Sequence, residues 1–441
     1  MSFLLSHDYV DEEITNNIYE SCTKKMKLSQ FEEEAKSIEC FEVTDTDVII
    51  PIGLWDVYYD KFPNVIKKSM RSNFKFNKTL YTLETDPKHT RDQDVVVKEA
   101  LKILKKSHSV FLQLFTGFGK TNLEIYCISK LGCKALHLCG ISKVNKRTCK
   151  DIRENTTAKV QIVTKKLDPT ADIYIMGITK ASKYTIEDFK DIGTVVVDEA
   201  HMWTETCFSK VLLKLVNCVY FIAMTASPKR PGGENELYEP YVRDRYIERF
   251  EVKDFIVIKY KTKYKPKIEY MIVKGKSMVK WTTVVGSLSE NIERRNEVLK
   301  LVKRHADKCI MIMSNRKAQN HYLLKLLEEN DEDVDGLFDD KDEYREDCRI
   351  LIVGTKKGGV GFDDVSRDML ILLDDFKDVN QYEGRIRQAN GLIYDFVDNY
   401  NTLEKHWELR EQWYIKRGAT IKYEGNISEI GKKRLLPRNS S

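Results

Sequence analysis

Val110-Phe111-Leu112-Gln113-Leu114-Phe115 is followed directly by Thr116-Gly117-Phe118-Gly119-Lys120-Thr121 and then by Asn122-Leu123-Glu124-Ile125-Tyr126-Cys127-Ile128. The order is apolar run, glycine turn, helical pattern. Glycines at such a bend let backbone N–H groups converge on an anion without Cβ interference, and the new helix adds the positive end of its dipole. Lys120 is expected to reach the β- and γ-phosphates of a nucleotide as a point charge, and the Thr121 hydroxyl to ligate a bridging magnesium ion. The first position of the usual phosphate-loop pattern holds Leu114 instead of a small residue, so the match lies in its second half. The flanking strand and helix separate this stretch from an ordinary structural turn.

Downstream, short apolar runs alternate with helical stretches: Ala135-Leu136-His137-Leu138, Val160-Gln161-Ile162-Val163, Ile173-Tyr174-Ile175-Met176, Val195-Val196-Val197 and Val219-Tyr220-Phe221-Ile222-Ala223. That rhythm predicts a parallel sheet wrapped by helices, with chemistry at the C-terminal ends of the strands. Val195-Val196-Val197-Asp198-Glu199-Ala200-His201 meets the expectation. Asp198 is expected to hold magnesium and Glu199 to polarise an attacking water; a simple helix cap by Asp198 is the plainer alternative. Met224-Thr225-Ala226-Ser227-Pro228 ends the next run with two hydroxyls placed to sense a γ-phosphate. Upstream, Arg91-Asp92-Gln93 opens a helix with Val95, Val96, Ala100, Ile103 and Leu104 on one face, and the Gln93 amide offers a donor and an acceptor to adenine.

The 441 residues predict two or three domains, and 42% hydrophobic with 32% charged residues reads as globular. No run reaches the roughly 18 apolar residues of a membrane span, and the first residues lack the basic start of a signal peptide. Ten cysteines without a C-x-x-C pair read as reduced core residues of a cytoplasmic protein, neither disulfides nor zinc ligands. A net charge of +5 permits nucleic acid without arguing for it. Residues 12–34 are expected to form amphipathic helices and Val48–Ile52 a short strand, and Lys67, Lys68, Arg71, Lys75 and Lys78 give a basic run. Between Tyr260 and Lys280 lysines alternate with aromatics, which fits a connecting strand pair or a basic groove wall. A second sheet pattern starts at Cys309–Met313 and continues through Ile350–Val353, Leu370–Leu373 and Leu392–Val397, with the acidic stretch 328–347 read as a solvated turn region. It has no phosphate loop of its own, as a split active site requires.

Gln93, the Thr116–Thr121 loop, Asp198–His201 and Thr225–Ser227 together resemble the Q motif and motifs I, II and III of superfamily 2 helicases. Gly354–Asp363 resembles motif V and Gln381–Arg387 motif VI. The resemblance implies an α/β fold of two tandem RecA-like domains, parallel sheets flanked by helices, with a small N-terminal accessory region. Its boundaries are 1–84, 85–240 for the ATP-binding domain, 241–430 for the second domain, and a basic tail at 431–441. It implies ATP and Mg2+ as cofactors, bound by Gln93, Thr116, Gly117, Phe118, Gly119, Lys120, Thr121, Gly361, Asp363, Gln381, Arg385 and Arg387, with Thr121 and Asp198 on the metal. Lys120, Asp198, Glu199 and Arg385 are the catalytic expectation, Arg385 as the arginine finger. Where the family carries a further arginine three residues on, this chain has Gln388, with Arg387 one residue away. Ser142, Lys143, Thr179, Asn315 and Lys357 fall where the family meets a nucleic-acid backbone.

Within the superfamily, the chain resembles helicases of large cytoplasmic DNA viruses, including the poxviral transcript-release type, and the phage UvsW type. The supporting residues are Arg91-Asp92-Gln93, Arg295-Asn296, and the tail Asp395–Asp398 with His406, Arg410, Tyr414 and Gly418. That implies DNA more than RNA as partner, transcription or replication proteins as further partners, no membrane, and a place in the host cytoplasm or virion. An RNA helicase and a non-catalytic ATP-binding clamp are the competing expectations.

Overall fold

The computed structural model describes residues 2–26, 36–58, 70–87, 90–203, 207–226, 234–273, 276–358, 366–376, 379–383 and 391–425. The chain forms two compact units, Met1–Phe250 and Glu251–Ser441, and each contains a seven-stranded sheet.

In the first unit the strands are β1 Ser109–Leu114, β2 Ala135–Leu138, β3 Val160–Ile162, β4 Ile173–Met176, β5 Thr194–Val197, β6 Tyr220–Thr225 and β7 Tyr246–Arg249. They lie in the order β7-β1-β6-β5-β2-β4-β3, every pair parallel. Continuous apolar strands such as Thr194–Val197 bury both faces, so alternate residues feed two cores. Val195, Val197, Leu136 and Leu138 enter one; Val196, Ala135, Val110 and Leu112 enter the other. The second core is closed by helices α1 Gln93–Ser107, α2 Lys120–Leu131 and α3 Ser142–Asn155. The first takes Phe3 and Leu5 from an N-terminal strand and Ile14 and Ile18 from the helix Glu12–Cys22. The N-terminal region therefore completes the core of this unit.

Several local expectations change. The α1 stripe is Gln93, Val96, Val97, Ala100 and Leu104, whereas Val95 is 46% exposed, because the buried face is centred one residue later than the sequence pattern placed it. Helix extends only to Cys22 within 12–34; Thr23–Met26 turns back against Lys36–Glu39 in an antiparallel pair. The short apolar strand runs Asp47–Pro51. The expected boundary at 240 falls inside the first unit, since β7 pairs with β1 beyond it.

The second unit is built from β8 Phe255–Lys261, β9 Ile310–Ser314, β10 Val334–Leu337, β11 Ile350–Gly354, β12 Met369–Leu372, β13 Gly391–Val397 and β14 Ala419–Gly425. Their order is β10-β11-β9-β12-β13-β8-β14, again all parallel. Helices α4 Ile292–Arg304, α5 Lys317–Glu328 and α6 Asn401–Lys416 pack on it. The acidic stretch read as a solvated turn contains β10. Its acids face basic partners at the surface, Asp333 with Arg345 and Asp335 with Lys341, while Val334 and Leu337 are buried. Tyr270–Val273 and Lys276–Val279 form the antiparallel strand pair. No described helix is long and apolar enough to cross a membrane.

Candidate active site

The phosphate loop leaves β1 and enters α2 through two glycines in the left-handed region, Gly117 at φ 93° and Gly119 at φ 95°. Gly119 caps α2 without a side chain, so the first N–H groups of that helix face outward for an anion. Phe118 is fully buried and sets its ring edge-on to Phe115 at 5.1 Å, which anchors the loop from below. Gln93 braces it from the side. Its Nε2 donates to the Phe118 carbonyl at 2.5 Å and its Oε1 accepts from the Tyr81 N–H at 3.0 Å, in a side chain 1% exposed. Tyr81 in turn carries the Arg91 guanidinium 4.0 Å above its ring, and Arg91 is ion-paired with the buried Asp86. The amide thus holds the loop through one donor and one acceptor. Removing both bonds by Gln93→Ala is expected to weaken ATP binding about tenfold, about 1.4 kcal/mol and so most of the roughly 2 kcal/mol that two such bonds contribute, as read by titration with a fluorescent ATP analogue.

β1, β6 and β5 are consecutive in the sheet and parallel, so the loop, Thr225 and the Asp198-Glu199 pair emerge at one edge. Asp198 leaves β5 still paired to β2 through its N–H and the Leu138 carbonyl, at 3.0 Å. Its Oδ1 accepts from the Glu199 N–H at 2.8 Å, and Glu199 takes φ 48°, a left-handed turn rare for a residue with a Cβ. His201 Nδ1 lies 2.8 Å from the buried Thr225 Oγ1 and 3.3 Å from Glu199 Oε2. His201 therefore ties the carboxylate pair to the end of β6. Ser227 lies outside the described residues.

Below this edge sits a buried polar group in an otherwise apolar layer. Glu124, on the inner face of α2, holds His137 Nδ1 at 2.6 Å, and both are buried. Burial works to lower the His137 pKa, yet the neighbouring Glu124 carboxylate, the Cys139 thiol against the ring and the Asp198 charge hold it well above the usual imidazole value. The imidazolium offsets carboxylate charge that the core would otherwise leave unbalanced.

Ser142 opens α3 after β2, Lys143 is exposed beside it, and Thr179 is exposed in the short helix Ile178–Ala181 after β4. Thr179 lines a cavity of about 920 Å³ together with Lys165, Lys166, Lys180, Lys183 and Tyr184, with Asp188 and Asp191 also on its wall. In the second unit, Asn315 follows β9, donating its N–H to Asp374 and accepting from the Thr355 hydroxyl. The Lys357 ammonium is ion-paired with Asp342. Gln381 lies in the short helix Asn380–Glu383, while Gly361, Asp363, Arg385 and Arg387 lie outside the described residues, as do Lys67, Lys68 and the tail 431–441. The tail residues that carried the viral resemblance are structural: Arg410 grips Asp395 with two bonds of 2.8 Å, and the Tyr414 hydroxyl donates to the same carboxylate at 3.0 Å. Among the described residues the cysteines are all free thiols, mostly buried.

Tyr81, Glu124, His137 and the linking role of His201 escaped the sequence reading. An acid between Leu123 and Ile125 and a histidine inside Ala135–Leu138 were the available signals, since a polar residue within a buried run needs a partner.

The fold and this edge define a phosphate-loop nucleotide-binding protein built on two RecA-like domains. Residues 90–232 match the family model described as DEAD/DEAH box helicase. The chain is 29% identical over 369 residues to "Putative helicase 161L" of Invertebrate iridescent virus 6, covering 75% of this chain and 82% of that protein. It is 26% identical over 340 residues to "Putative helicase 055L" of Frog virus 3, covering 75% and 78%. It is 23% identical over 354 residues to "Putative ATP-dependent RNA helicase L396" of Acanthamoeba polyphaga mimivirus, covering 75% and 68%. Among solved structures, S. cerevisiae Dbp5 bound to RNA and ADP BeF3 superposes with TM-score 0.52 at 14% identity, covering 77% of this chain and 93% of that one. T4 UvsW aligns over 95% of this chain and 97% of its own at 14% identity, with TM-score 0.39. Residues 90–232 are a DEAD/DEAH box helicase domain, and the chain resembles the superfamily 2 helicases of the viral types.

Proposed function

We propose that the chain is an ATP-hydrolysing nucleic-acid helicase or translocase that acts on DNA in transcription, recombination or repair. The observation that carries the reading is the braced phosphate loop at the same sheet edge as Asp198 and Glu199. The residues fit ATP with magnesium: two glycines at positive φ, a helix start without a side-chain cap, and Lys120 with no ion pair among the described residues. Thr121 and Asp198 would hold the magnesium ion, which neutralises phosphate charge when bound. Lys120 binds the phosphates, Glu199 orients and deprotonates the attacking water, and His201 keeps Glu199 in line with Thr225. Arg385 is proposed on its motif alone as the cation that meets charge developing on the γ-phosphate.

Nucleic acid is proposed to lie along the strand ends carrying Ser142, Lys143 and Thr179, with the lysine-rich cavity beside Thr179 taking phosphates. The decisive experiment measures ATP turnover and unwinding on single-stranded, forked and duplex DNA and on RNA. Stimulation by DNA supports the proposal, and no stimulation by any nucleic acid overturns it. A double charge reversal, Lys166→Glu with Lys183→Glu, is expected to raise the DNA concentration for half-maximal stimulation about tenfold and to flatten its salt dependence, with basal turnover unchanged. The RNA reading is favoured by the mimiviral relative's name and by the RNA-bound Dbp5 structure; competition between DNA and RNA strands decides between the two.

A further inference from the structure

We propose that His137, Cys139 and Asp198 form a binding site for a borderline-soft divalent cation of the zinc class, at the ends of β2 and β5. One ligand atom from each of the three lies within 4.8 Å of the other two, and all three residues are buried. The sheet explains the convergence. His137 stands opposite Val196 in the β2–β5 register, and Asp198 N–H bonds to the Leu138 carbonyl, so residues 137, 139 and 198 fall on one face of two adjacent parallel strands.

A second observation points to a ligand. His137 Nε2 is fully buried and has no hydrogen-bond partner. Its other nitrogen is taken by Glu124 at 2.6 Å, the carboxylate–histidine arrangement that orients an imidazole for a metal; the cation takes Nε2 by displacing the proton that the imidazolium carries there, and so replaces its positive charge. An imidazole, a thiolate and a carboxylate suit Zn2+, Co2+ or Cd2+, whereas magnesium takes oxygen ligands and tolerates neither sulfur nor crowding. Three protein ligands leave a fourth position open. This removes Cys139 from the inert core thiols among which the sequence pattern placed it.

The consequence for turnover rests on the proposed function: a cation held here takes Asp198 away from magnesium, so occupancy inhibits ATP hydrolysis. Binding itself does not depend on that reading. The test titrates the metal-free full-length chain with Co2+ and follows the visible ligand-field bands and the thiolate-to-cobalt charge-transfer band. One equivalent is expected, displaced by Zn2+, with the charge-transfer band lost in both Cys139→Ser and Cys139→Ala and affinity at least tenfold lower in His137→Gln. Cys133→Ser, a half-buried thiol elsewhere, keeps the band. No charge-transfer band, or a band that survives both Cys139 variants, overturns the site. In parallel, Zn2+ at fixed Mg2+ should suppress ATP hydrolysis in the wild type and not in Cys139→Ser. A Cys139-dependent band without suppression upholds the cation site and removes Asp198 from the magnesium reading.

Discussion

Replacing Glu199 with glutamine should lower ATP turnover by about a thousandfold, an increase of about 4 kcal/mol in the barrier, while ATP binding and thermal stability stay at wild-type values. The separation follows from how the residue is held. Its backbone is fixed in a left-handed turn at φ 48° by the Asp198 Oδ1 bond to its own N–H and by the 2.8 Å bond from Met202 N–H to its carbonyl. Glutamine keeps that backbone and its bulk and loses only the ability to accept a proton. Its amide still reaches His201, so the link to Thr225 survives. A companion Glu199→Gly relaxes the turn, by about 1 kcal/mol, and should melt no lower than wild type while being equally inactive. Single-turnover phosphate release beside binding of a fluorescent ATP analogue checks both variants. Release from Glu199→Gln within tenfold of wild type removes Glu199 from the chemistry, whereas no release from the wild type itself leaves the clamp reading in its place.

The sequence announced those parts of the structure that depend on short-range pattern. Apolar runs such as Val195–Val197 and Ile350–Val353 could only be buried parallel strands, and the glycines at 117 and 119 could only mark a turn. What stayed hidden depends on partners distant in the chain. β10 carries too little apolar surface to be read as a strand, and its acids looked solvated because Arg345 and Lys341 follow later in the sequence. Gln93 was read as an amide offered to adenine beside a phosphate loop; that its amide is turned onto the Phe118 carbonyl follows from the packing of α1 beside α2. Glu124 and His137 make the same point, since each alone is an oddity in an apolar run and only the fold makes them a pair.

Gly119→Ala should weaken ATP binding about a hundredfold, about 2.7 kcal/mol, through two penalties that can be measured separately. The first is conformational: at φ 95° an alanine is strained by about 1 to 2 kcal/mol, and the loop relieves this by leaving the shape that points its N–H groups inward. The second is steric, because the new Cβ would stand 2.3 Å from Gln93 Nε2. The amide must swing away and give up the Phe118 carbonyl, so the brace fails as well. Gln93→Ala in the same chain removes the steric penalty and leaves the conformational one. The double variant should therefore bind no worse than Gly119→Ala alone, although Gln93→Ala by itself loses about tenfold, and that non-additivity is the signature of two residues acting on one loop. Isothermal titration with ATP and magnesium on the four proteins closes the cycle. If Gly119→Ala binds within threefold of wild type, the loop does not form the phosphate cradle; if the two losses simply add, Gln93 acts on the nucleotide directly and not through Gly119.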